Sequence, residues 1–120
     1  MVAFRRIILI QNFALRIGNP EDEGRIVAGA TVGKGDIEKQ CAQVYANIHT
    51  ALRAVGADWG NVVQFTSFLV REQDAAAFRA WRGREFPKMF PGGAPPNTLL
   101  IISRLADPDY LLEVQTIAAL

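Results

Sequence analysis

The chain has almost none of the side chains from which metal, redox and nucleophilic sites are usually built. One cysteine, Cys41, and one histidine, His49, stand among 120 residues. A lone cysteine excludes an internal disulfide framework, and with a lone histidine it leaves no Cys/His zinc site. Ser67 and Ser103 lack a nucleophile-elbow context, so no Ser/His/Asp set assembles around the single histidine. Gly33-Lys34-Gly35 and Gly92-Gly93 lack the spacing of a phosphate loop. No metal site and no nucleotide-phosphate loop are therefore expected. Charge of one sign is missing too. Thirteen Lys and Arg against twelve Asp and Glu leave a net charge of +1, too weak a field to hold a nucleic-acid backbone by charge. No apolar run approaches the roughly twenty residues of a membrane span. Ile7-Ile8-Leu9-Ile10 follows Arg5-Arg6, but four residues are too few for the apolar part of a signal peptide. These absences predict a cytoplasmic protein with neither membrane nor nucleic acid as partner.

Half of the residues are hydrophobic and 21% are charged, which predicts one globular domain over 1–120 with a true core. Phe4 to Gln11 and Arg25 to Ala30 read as strands on either side of the turn-rich Gly18 to Gly24. Asp36 offers an N-cap. Apolar residues then recur at three- and four-residue steps through Ile37, Cys41, Val44, Tyr45, Ile48, Leu52 and Val55 until Gly56, a natural C-cap. That spacing predicts an amphipathic helix, with Cys41 on its apolar stripe as a small buried hydrophobe rather than a nucleophile.

Val62 to Val70 is β-branched and aromatic, hence a strand. Asp74 is expected to cap a second helix carrying Ala77, Phe78, Trp81 and Phe86, which Pro87 should stop. After the Gly- and Pro-rich stretch 88–96 come two apolar runs, starting at Thr98 and at Leu111. The turn sequence Ala106-Asp107-Pro108-Asp109 between them predicts an antiparallel hairpin. The order β-β-α-β-α-β-β describes an α+β domain with one sheet and two helices.

Alternation along the last strands places Val63, Phe65, Ser67, Leu69, Leu99, Ile101, Ser103, Leu105, Leu112, Val114 and Thr116 under the helices. The opposite face carries Val62, Gln64, Thr66, Phe68, Thr98, Leu100, Ile102, Arg104, Leu111, Glu113, Gln115 and Ile117. It is too apolar for water and too polar for a dry core, so a second subunit is expected to cover it. Glu113 on that face could orient a water or move a proton. It could equally form a salt bridge with Arg104, and the residues alone leave both readings open.

Beyond these elements, the order and spacing of several short motifs resemble one known family. They are Ile26-Val27-Ala28-Gly29, Gln40, Asn47-Ile48, Ala54-Val55-Gly56-Ala57, Asn61-Val62-Val63-Gln64-Phe65-Thr66, Phe78-Arg79-Ala80-Trp81, Glu85-Phe86-Pro87, Pro95-Pro96-Asn97-Thr98, Arg104-Leu105 and Glu113 to Ala118. Together they resemble the Rid family of reactive-intermediate deaminases, also called the YjgF or L-PSP endoribonuclease family.

The resemblance implies a chorismate-mutase-like fold, one mixed sheet with two helices on one face, assembled as a homotrimer with a central barrel and a small-metabolite cleft between neighbouring subunits. In deaminating members, which need no metal or organic cofactor, an arginine grips the substrate carboxylate. A glutamate of the last strand positions the water that hydrolyses an enamine or imine, such as 2-aminoacrylate, to a carbonyl compound and ammonia. Carried over, that glutamate is Glu113, the strand-end glycine is Gly29, and Asn97 stands where the arginine would. Gln115 and Thr98 join the expected cleft, and Phe13 is the candidate for the aromatic that closes it. Asn is a neutral amide of shorter reach than a bidentate guanidinium, so standard 2-aminoacrylate turnover is not expected. The alternatives are a metabolite sensor using the same cleft and, from the family's older label, an endoribonuclease or translation inhibitor.

Overall fold

A computed structural model describes residues 6–13 and 31–120. The strand expected at Arg25 to Ala30, Gly29 included, lies outside the described residues. The elements run β1 (Ile7–Phe13), α1 (Ile37–Ala54), β2 (Val62–Leu69), α2 (Asp74–Met89), β3 (Asn97–Ile101) and β4 (Leu112–Ala119). The strands form one mixed sheet in the order β1-β4-β2-β3. Among the described residues only the β2/β3 pair is parallel.

Both ends of α1 follow from side-chain chemistry. Asp36, in extended backbone, accepts a hydrogen bond from the amide of Lys39, as an N-cap does. At the other end Gly56 takes φ +80°, which glycine reaches without steric cost. The amides of Gly56 and Ala57 then close on the carbonyls of Arg53 and Leu52, satisfying groups that the helix end would leave unpaired. The apolar stripe packs on the sheet, with Cys41, Val44, Ile48 and Leu52 fully buried beside Phe65, Leu112 and Val114. Tyr45 sits at the centre of an aromatic cluster, stacked on Trp81 at 4.9 Å and edge-on to Phe65 and Phe86.

Four expectations are corrected. Asp74 is the first residue of α2 rather than its cap, because its buried carboxylate is held by Arg71 at 2.8 and 3.0 Å. Pro87 does not stop α2, which continues to Met89. The bond that Pro87 cannot donate falls in the last turns, near exposed Gly83, where water can satisfy a freed carbonyl, and Phe90 still closes on Phe86 at 2.7 Å. The closing hairpin does not form: β2 lies between β3 and β4. Its end separates them, as Leu69 accepts from the Ile102 amide and Val70 donates to the Leu111 carbonyl. With α2 as the connection, β3 can return parallel to β2, and residues 102–111 then carry the chain across to the other side. Finally, a register shift between Val62 and Gln64 turns Val62 inward and leaves Val63 exposed, and Leu111, just before β4, is buried.

One buried polar residue ties these parts together. Gln40, fully buried on α1, donates to the carbonyls of Gly33 and Asp109 and accepts from the amide of Leu111 at 2.8 Å. It joins the turn before α1 to the loop before β4.

Candidate functional site

Register places the open face of the sheet in rows. Residues paired across strands point to the same side, so Leu9, Ile117 and Gln64 form one row. Gln11, Gln115, Thr66 and Thr98 form the next. Glu113, Phe68 and Leu100 form a third, and the backbone of Phe13 pairs with that of Glu113. A polar row thus lies between one that joins Leu9 and Ile117 to Gln64 and one in which a single carboxylate sits beside Phe68 and Leu100.

Glu113 is half-buried, and loss of hydration pushes its carboxyl above the usual glutamate range. The salt bridge to Arg104 is not made. Without the hairpin the two are not neighbours, and the Arg104 guanidinium donates to the carbonyls of Leu105 and Ala106 instead. A carboxylate that is partly desolvated, and whose expected cation is engaged elsewhere, accepts a proton more readily than a surface glutamate.

Of the residues singled out in the sequence, the sheet brings Glu113, Gln115 and Thr98 to one face. Asn97 lies on the other. It pairs in register with Phe65, on the helix side, and its Oδ1 accepts from the hydroxyl of buried Ser67 at 2.6 Å. Asn97 and Glu113 therefore do not meet within one chain. Gln11 and Thr66 extend the polar row. Thr66 was legible from alternation in β2, whereas Gln11 needed the β1/β4 pairing, which nothing local in the sequence announces.

The other candidates are structural. His49 meets Asp58 at 2.8 Å and stacks on Trp59 at 5.0 Å, clear of the rows above. Asp58 is held below its ordinary range, first by the Trp59 amide and then by His49. Cys41 is fully buried, and burial, reinforced by the Glu38 carboxylate, pushes its thiol up to about 12. Since the thiolate is the reactive form, Cys41 is expected to resist Ellman's reagent in the folded protein and to react once the chain is unfolded in guanidinium. A full equivalent of fast reaction without denaturant would contradict this burial.

Among the described residues no group of three or more His, Cys, Asp and Glu side chains could hold a metal ion. No described helix is long and apolar enough to cross a membrane.

A sequence model of the family described as Endoribonuclease L-PSP matches residues 16–120. The RutC family protein slr0709 of Synechocystis is 35% identical over 89 residues, covering 74% of this chain and 65% of that protein, so the match spans just under two thirds of the relative's length. YyfB of Yersinia pestis, a Rid family protein of unknown function, superposes with a TM-score of 0.76 at 26% identity, covering 96% of this chain and 79% of that one. The fold is also shared with E. coli TdcF, solved with bound serine, at a TM-score of 0.72 and 20% identity over 95% of this chain and 80% of that one. With a family match running from residue 16 to the end and a Rid fold over nearly its full length, the chain belongs to the Endoribonuclease L-PSP family, known also as Rid or YjgF.

Proposed function

We propose that the protein binds a small amino-acid-like metabolite in clefts between the subunits of a homotrimer and hydrolyses an imine or enamine there. The observation that carries this is Glu113, a half-buried carboxylate with a raised pKa beside a row of hydrogen-bonding side chains on an otherwise apolar face. The serine held by TdcF supports a ligand of this size and class. Glu113 takes a proton from water as the oxygen attacks the imine carbon. The nitrogen is protonated, the C–N bond of the resulting carbinolamine breaks, and a carbonyl compound and ammonia leave. Gln11, Gln115, Thr66 and Thr98 supply donors and acceptors to orient the substrate.

A panel of freshly generated imino acids, followed by loss of imine absorbance, tests the reading. Glu113→Gln should lower turnover at least about 100-fold, the usual scale for removing a general base. Because Glu113 works deprotonated and its pKa is raised, the wild-type rate should climb with pH through a midpoint above the ordinary glutamate range. Glu113→Gln should lack that limb. If wild type and Glu113→Gln both leave every imine decaying at the buffer rate, the deaminase reading fails.

A second reading, binding without turnover, is favoured by Asn97. Its amide occupies the place of the family's arginine and is already engaged by Ser67. Under that reading a ligand raises thermal stability while no imine is consumed.

A further inference from the structure

Between residues 53 and 104 the arginines divide by what they touch. Arg53 reaches Asp58, Arg71 holds Asp74, Arg84 meets Glu38, and Arg104 donates to two carbonyls. Arg79 and Arg82, one helical turn apart on α2, have no carboxylate or carbonyl partner among the described residues. Both line the same cleft of about 450 Å³, with Phe86, Pro87, Phe90 and Gly93. It lies away from Glu113, on the helix side of the molecule.

Arg82 is held as a binding group would be. Its guanidinium carbon lies 5.1 Å from the centre of the Phe78 ring and 5.5 Å from that of Phe86. Rings take the flat face of a guanidinium and leave its N–H edges for an acceptor in the same plane. Yet its Nε is buried without a hydrogen-bond partner. That atom is closed off from the cleft, whereas the Nη edge is not among the buried atoms and has no carboxylate or carbonyl partner among the described residues, so it is the edge that an entering anion meets. Exposed Arg79 adds a second positive charge at the same opening. Phe86, Phe90 and Pro87 make the remaining wall apolar. A volume of this size suits a small organic molecule.

We propose that this cleft is a second binding site, separate from the Glu113 face, for a small organic carboxylate with an apolar body. The carboxylate lies against the edge of Arg82, with Arg79 at the entrance, and the hydrocarbon part packs on Phe86 and Phe90. The proposal stands whether or not the protein hydrolyses imines.

The test is a titration of isotope-labelled protein with benzoate, followed by amide NMR, with benzamide and inorganic phosphate as comparison probes. Benzoate should produce saturable shifts centred on the amides of Gly83 and Gly93. Benzamide, of the same shape without the charge, should bind at least tenfold more weakly, and phosphate, without the apolar body, likewise. Arg82→Gln should weaken benzoate at least tenfold. Arg79→Gln, at an exposed position that the fold does not need, should weaken it severalfold and serves as the test if Arg82→Gln does not fold. Absence of saturable shifts, equal binding of benzamide or phosphate, or shifts centred on Glu113 and Gln115 would each overturn the assignment.

Discussion

Replacing Gln40 by leucine will lower the stability of the folded chain by about 3 kcal/mol, read as a drop in the urea midpoint at unchanged slope. Leucine fills a similar volume, so the loss comes from hydrogen bonding. The carbonyls of Gly33 and Asp109 and the amide of Leu111 all turn to the Gln40 side chain. Each buried group left unpaired costs about 1 to 3 kcal/mol, offset in part by the gain from burying an apolar side chain. Against a total of about 5 to 15 kcal/mol for a domain this is a large fraction, and the melting temperature should fall by roughly 10 °C.

Gln40→Glu separates the two roles of the amide. It keeps an acceptor for Leu111 but sets an ionised oxygen against two carbonyls, so it should destabilise at least as much at pH 7. Its folded-state pKa should be raised, because only the protonated acid can donate to a carbonyl. The relative stability of this variant is therefore greatest below the ordinary glutamate pKa and is lost as pH rises through the folded value. A change below 1 kcal/mol for Gln40→Leu would mean that the two loops are held by something other than this side chain.

Gln40 also shows which parts of the fold are readable in one dimension. The signals that placed α1 are local: a cap at Asp36, a stripe every three or four residues, and a glycine able to take positive φ. Its end and start agree with the sequence for that reason. The partners of Gln40 lie seven, sixty-nine and seventy-one residues away, and no local pattern reveals them. The hairpin failed in the same way. Asp107-Pro108-Asp109 does turn, with Tyr110 closing on Asp107 and the Asp107 carboxylate accepting from Asp109. Which strands lie either side of the turn is decided by the α2 crossover, a non-local matter.

Alternation served β4 well, since Leu112, Val114 and Thr116 are buried and Glu113, Gln115 and Ile117 are not. It slipped where β2 bulges, because one extra residue exchanges the faces. For Asn97 two signals competed. Motif position put it with Glu113 in one cleft, whereas the alternation that places Leu99 on the helix side puts Asn97 there as well. The strand obeys the alternation.

The consequence for assembly is large. Ile7 and Leu9 are 68% and 58% exposed on the open face, with Leu100 at 44%, and Ile117 lies between Leu9 and Gln64. We propose that this apolar surface is covered in solution by further copies of the chain, three in all. Light scattering should then give three times 13.2 kDa for the wild-type chain. Leu9→Glu should reduce this to a single chain. In one chain the substituted side chain stands in water, where such changes shift stability by only about 0.5 kcal/mol either way, so the variant should stay folded. In the assembly it would bury a charge without a partner in every copy, a cost of several kcal/mol each time. Circular dichroism of Leu9→Glu should therefore match wild type while the mass falls threefold. The proposed cleft lies between copies and is lined from the Glu113 face, Asn97 being turned to the helix side of its own sheet and bonded to Ser67. Loss of assembly should then abolish imine hydrolysis together with it. A wild-type mass of 13.2 kDa would remove the inter-subunit cleft from the proposal, and an intact trimer for Leu9→Glu would move the interface to another surface.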